Sequence, residues 1–173
     1  MNAHRYDRFT VLLHWSMAIL IAAQIALGFW MVDLPKDDSG IRASRFNLHK
    51  SIGMVLLILA VLRSIWLALR PAMAATATGW MDRSARIAHG ALYVLMVLVP
   101  LSGFLGSAFS KYPIRFFGFP LPRIADPWNA AKDLCSDVHQ LSSYALTAMV
   151  VVHLMAFAYH QFVLKDRLIL RMR

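Results

Sequence analysis

The chain has 173 residues, the length of one domain; 59% of them are hydrophobic, 16% are charged, and the formal net charge is +9. Soluble proteins are about 45–50% apolar, so the balance excludes an ordinary water-soluble domain and points into a bilayer. Excess Lys and Arg could signal nucleic acid, but no basic run or soluble module accompanies them, and basic flanks of membrane spans account for them better.

Four apolar runs lie at roughly 9–32, 47–69, 87–109 and 138–164. Each reaches the ~20 residues that a helix needs to cross the hydrocarbon core. The pattern predicts an all-α protein, a transmembrane four-helix bundle, with residues 1–173 forming a single membrane domain. The run at 9–32 is too long for a cleavable signal peptide, holds His14 and Gln24, and is followed by no small-residue cleavage site. The second run begins near His49 and ends in a segment carrying Arg63 and Arg70. His89 stands near the start of the third, and Pro100 removes a backbone donor within it, which predicts a kink or local adjustment. Small residues that give room between helices are Gly28, Gly53, Gly103 and Gly106, the last forming a small-xxx-small pair with Ser102.

Between the third and fourth runs lies KYPIRFFGFPLPRIADPWNAAKD, rich in Pro and aromatics. It reads as an interfacial belt with Trp and Tyr at headgroup depth, with a lid over the outer end of the bundle as the alternative. The fourth run carries His139, His153 and His160. The lone Cys135 can form no intramolecular disulfide, and the absence of C-x-x-C-H excludes covalent c-type haem attachment. There is no Gly-rich phosphate loop.

Four spans put both termini on one side. Ten Lys/Arg residues fall on that side and eight on the other, so the termini are expected in the cytoplasm. The chain has no glutamate, and every aspartate lies at a span end or in a loop. That argues against a proton pump or cation channel built on intramembrane acids.

Histidine is the polar residue that does enter the spans, and an ionisable residue there is a functional hypothesis by default. His139 and His153 are 14 residues apart, about 1400° of helical rotation, so they share a face with a rise of about 21 Å. One metal cannot bridge that distance, but two sites can. By depth, His49 is level with His139, and His14 lies in the inner half with His153. His160, a further seven residues on, shares the same face and could also meet His14. Paired imidazoles from facing helices of a bundle suit an axial cofactor such as haem iron. Neither level offers the four N/S ligands of structural zinc.

The segments LLHW at 12–15, NLHKSIG at 47–53, VLRSIWLALRP after the second span, VHQLSSYALTAMVVVH ending at His153, and the tail YHQFVLKDRLILRMR resemble the bacterial cytochrome b561 family. The resemblance runs over essentially the whole chain. It implies a diheme b-type cytochrome of the inner membrane: two haem b groups, with His14, His49, His139 and His153 as axial iron ligands, so that His153 rather than His160 partners His14. It also implies electron exchange with ubiquinone. In one branch of the family the enzyme is a superoxide oxidase, passing electrons from periplasmic superoxide to the quinone pool.

Under that reading the outer Lys36, Arg42, Arg45, Lys50, Lys111, Arg115, Arg123 and Lys132 could attract an anionic donor or bind propionates. On the inner side Arg63, Arg70 and Arg86 could clamp propionates. His89 and His160 are candidates for proton delivery to a reduced quinone, since imidazole titrates near neutrality. Two other classes compete with this reading. One is a haem b anchor subunit of a dehydrogenase or hydrogenase, which would co-purify with a soluble subunit. The other is a haem-free membrane transporter or adaptor, which would be colourless.

Overall fold

In the computed structural model, which describes residues 7–69, 79–165 and 169, four long helices make up most of the described chain. They are α1 (Arg8–Val32), α2 (Ile41–Ala68), α3 (Trp80–Ala108) and α4 (Asn129–Ala158), the last continued by a π-helical turn, Tyr159–Val163. All four are long and apolar enough to span a membrane, and at most 22% of any span's most apolar stretch is buried inside the protein. The remaining apolar surface, such as Leu12, Ile19 and Leu154, faces outward. In water that surface would be a heavy liability, but in a bilayer it is the solvated face.

Local chemistry fixes the helix ends. Asp7 caps α1, its carboxylate accepting from the backbone N–H of Phe9 and Thr10 at 3.1 Å each. Nearby, the Trp66 indole N–H donates to the Thr10 hydroxyl at 3.1 Å and tethers the end of α2 to the start of α1. At the opposite end, Arg42 donates to the carbonyls of Met31, Val32 and Leu34, groups that a helix end otherwise leaves unpaired.

The helices run past the apolar stretches at their loop ends. α2 begins at Ile41, α3 at Trp80 and α4 at Asn129, where the apolar runs suggested 47, 87 and 138. Their polar first turns are helical but not apolar, because they reach past the hydrocarbon layer. As a result His49, His89 and His139 stand well inside their helices rather than at the openings. Arg70 falls outside the described residues.

α3 packs most extensively on α4, and α2 packs on both α1 and α3. The backbones of α4 and the first two helices stay apart. Side chains span that gap instead, Phe29 reaching Tyr144 with ring centres 6.1 Å apart.

The third loop contains strands that no alternating pattern foretold. Arg115–Phe116 and Phe119–Pro120 form a two-stranded antiparallel hairpin, with Phe116 opposite Phe119. Its two turn residues, Phe117 and Gly118, both have positive φ, 46° and 95°. Glycine adopts that conformation freely, whereas an aromatic residue adopts it only when its surroundings hold it there. The holder is Ser51 of α2, 1% exposed. Its hydroxyl accepts from the Phe117 N–H at 2.9 Å and donates to the Asn47 carbonyl at 2.8 Å.

Candidate functional site

Two clusters of imidazoles occupy the gap between α4 and the first two helices. In the outer half the rings of His49 (α2) and His139 (α4) have centres 6.1 Å apart and planes at 87°. In the inner half the ring of His153 (α4) lies 6.4 Å from that of His14 (α1) and 5.8 Å from that of His89 (α3). His160 lies elsewhere, its ring 6.1 Å from Tyr159 in the π-helical turn.

The outer pair faces a cavity of about 660 Å³, within the ordinary range of small-molecule sites. Glycines make the space. A Cβ on Gly103 would sit 2.9 Å from the Cε1 and Nδ1 atoms of His139, so only glycine admits that ring. Across the cavity, Gly28 of α1 faces the His49 ring, where a Cβ would come within 3.5 Å. Pro100, Gly53 and Gly106 also line the space. Ile114 and Tyr112, at the base of the hairpin, close part of its outer end, and Lys50 and Lys132 stand on its wall.

The hydrogen bonds around the rings differ. Nδ1 of His139 lies 2.8 Å from the Val99 carbonyl. A carbonyl can only accept, so this nitrogen carries the proton and Nε2 keeps its lone pair for a metal. His49 Nδ1 is buried with no partner. At the inner level His14 Nδ1 lies 3.3 Å from an Arg63 guanidinium nitrogen. Arginine only donates, so His14 accepts there, and in a neutral ring the hydrogen sits on Nε2. Arg63 also donates to the Tyr93 hydroxyl at 3.4 Å and lies over the Tyr93 ring.

At least four of the eight outer basic residues are already engaged. Arg42 serves the end of α1, Arg45 lies over the Trp30 ring at 5.6 Å, and Arg123 donates to the Lys111 carbonyl at 3.2 Å. Lys132 pairs with Asp133 at 2.7 Å.

Spanning helices that enclose facing imidazoles place the chain among helical membrane proteins built around a redox cofactor. Its relatives narrow the class: the pattern of the prokaryotic cytochrome b561 family matches residues 5–173, and the chain belongs to that family. It is 32% identical to cytochrome b561 homolog 2 of Escherichia coli (strain K12) over 171 residues, 97% of this chain and 90% of that protein. It is 27% identical to cytochrome b562 of Cereibacter sphaeroides, over 96% of this chain and 94% of that protein. With cytochrome b561 homolog 1 of the same E. coli strain the identity is 25%, over 98% and 97%. The protein is therefore a multi-pass bacterial membrane cytochrome of b type, a carrier of electrons.

The outer level fits a haem on three counts: space, a glycine where a side chain would collide, and an imidazole with its Nε2 free. Metal–imidazole bonds are about 2 Å, and each ring centre lies roughly 1 Å further out, so two axial imidazoles on one metal have centres about 6 Å apart. Both the 6.1 Å and the 6.4 Å separations meet that spacing. The inner level meets it with two choices of partner for His153, and the Arg63 contact must open before His14 can offer Nε2.

Proposed function

We propose that the protein holds two haem b groups, one at each histidine level, and moves electrons between a donor on the outer side and ubiquinone. The observation that carries this reading is the pair of imidazole bridges. Each joins α4 to a helix whose backbone keeps its distance, at the separation two axial ligands require. His49 and His139 hold the outer group, and His14 and His153 the inner one. When bound, haem iron supplies one-electron chemistry; the protein supplies ligation, spacing and exclusion of water.

The chain's own groups then divide the remaining work. Arg63, released from His14 when that ring turns to the iron and still held at Tyr93, keeps a positive charge beside the inner pair and suits a propionate. Lys50 and Lys132 do the same on the cavity wall. His89 and His160 are the candidates for proton delivery to a reduced quinone. Among the described residues the outer loops carry no separate docking domain, which suits a small diffusing donor. Superoxide is such a donor: two superoxide ions give up one electron each to become dioxygen, and one ubiquinone takes both electrons with two protons. The termini lie in the cytoplasm of a cell with an inner membrane.

A second reading has its own observation. The His89 ring is nearer to His153 than the His14 ring is, at 5.8 Å against 6.4 Å. His89 is then the inner partner of His153, and His14, already engaged by Arg63, is not a ligand.

Pyridine haemochrome quantification tests the main proposal. Purified protein should yield two haems per chain, both extracted by acid acetone, because the sequence offers no C-x-x-C-H for thioether attachment. A colourless protein overturns it. A soluble subunit that co-purifies in fixed ratio would point to the membrane-anchor class instead.

A further inference from the structure

Helices α1 and α2 meet through a reciprocal pair of contacts. Gly28 of α1 makes room for the ring of His49, and Gly53 of α2 makes room for the amide of Gln24, where a Cβ would lie 3.5 Å from Nε2. Gln24 and Gly28 are one turn apart on α1, as His49 and Gly53 are on α2. Gln24 uses its notch to grip the His49 backbone, donating from Nε2 to the His49 carbonyl at 2.9 Å.

Each partner has polar capacity left over. The Gln24 Oε1 and the His49 Nδ1 are both buried and both lack a hydrogen-bond partner. A buried amide oxygen without a donor is costly, and so is a buried ring N–H without an acceptor. The contrast with His139 is direct, because its Nδ1 has the Val99 carbonyl. An imidazole that binds metal through Nε2 carries its hydrogen on Nδ1, and such rings are oriented by an acceptor for that hydrogen. The cavity side of His49 offers one acceptor with nothing else to do, on the side chain already holding residue 49.

We infer that Gln24 is the positioning residue for His49, its amide N–H fixing the backbone and its Oε1 accepting the Nδ1 hydrogen when the outer site is loaded. This rests on the proposal that His49 is an axial ligand. An accepted hydrogen makes the imidazole a stronger electron donor, which favours ferric over ferrous iron and lowers the midpoint potential. Gln24 thus tunes the outer group through His49.

The test is a redox titration of holoprotein, with EPR of the oxidised form, on wild type, Gln24→Leu and Gln24→Glu. Wild-type protein without haem removes the ligand reading, and this inference with it. With haem present, Q24L should keep both haems but raise the potential of one of them and move its low-spin EPR signal, leaving the other unchanged. Q24E keeps an acceptor and, if protonated, a donor for the His49 carbonyl, so the same haem should titrate at or below the wild-type potential. Unmoved potential and EPR signals in Q24L would overturn the role of Gln24 while leaving haem ligation by His49 intact. Should Q24L lose the outer haem altogether, Q24E decides: retained haem at or below the wild-type potential supports the inference, and a potential raised above wild type overturns it.

Discussion

The space beside His139 exists because residue 103 has no side chain: a methyl group there would lie 2.9 Å from two atoms of the imidazole ring. The ring cannot back away freely, because its Nδ1 is tied to the Val99 carbonyl one helical turn earlier on the same helix, α3. Gly103→Ala should therefore break this bond or tilt the ring, with strain of about 1–3 kcal/mol. Haem per chain is expected to fall from two toward one. Gly106→Ala is the control. Its Cβ would meet Cys135 at 3.4 Å, a contact that can relax, and both haems should remain.

Ligand substitutions should sort by level. His49→Ala and His139→Ala are expected to lose the same haem, since either leaves one iron with a single imidazole. His153→Ala should lose the other. At that level His14→Ala and His89→Ala separate the two readings of the inner site. Loss of the inner haem in H14A, with retention in H89A, supports the His14–His153 pair. The reverse result assigns His89. Optical spectra with haem quantification read each outcome.

The Ser51 hydroxyl joins the hairpin to α2. Ser51→Ala leaves the Phe117 N–H without its acceptor, a cost of about 1–3 kcal/mol. Amide exchange at Phe117 is expected to speed up accordingly, while exchange in the middle of α4 stays slow. Unchanged protection at Phe117 would show that the hairpin is held by other contacts.

The proposed orientation rests on a difference of ten Lys/Arg against eight. A C-terminal alkaline phosphatase fusion should be inactive and a C-terminal fluorescent reporter bright. The opposite pair of signals places the termini outside.

Reduction of the haems by superoxide should be fast in stopped flow and should slow as ionic strength rises, because steering by basic groups is screened by salt. Neutralising Lys111 or Arg115 should slow it further. Haems that accept electrons from ubiquinol or dithionite but not from superoxide would leave the cytochrome in place and remove this donor.

How much of this could be read beforehand depends on the physics behind each feature. The spans were legible because lipid requires long apolar runs, and a run of ~20 residues leaves few alternatives. Helix ends were less so. The first turns of α2, α3 and α4 are polar, and their helicity depends on contacts such as Arg42 reaching the carbonyls of α1. The 14-residue spacing puts His139 and His153 on one face, a matter of period alone, and both rings do meet rings of other helices. The approach of His89 to His153 was not visible, because depth does not reveal which way α3 turns. Nor was the hairpin, whose strands are two residues each and whose anchor, Ser51, reads as an ordinary small residue in a span. Gln24 could be noticed as polar within an apolar run, but its partner could not.

Every facing histidine pair between His14, His49, His139 and His153 draws one ring from the first two helices and one from the last. A chain cut between Leu69 and Gly79 would therefore leave half of each site on either fragment. With His14 as the partner of His153, neither fragment could complete an iron's two axial positions, whereas a His89–His153 pair would lie whole in the second fragment. Under the His14 reading the two halves, made separately and inserted into one bilayer, would have a reason to find each other that goes beyond packing: the cofactor would be the rivet, and its supply would set how much whole protein assembles.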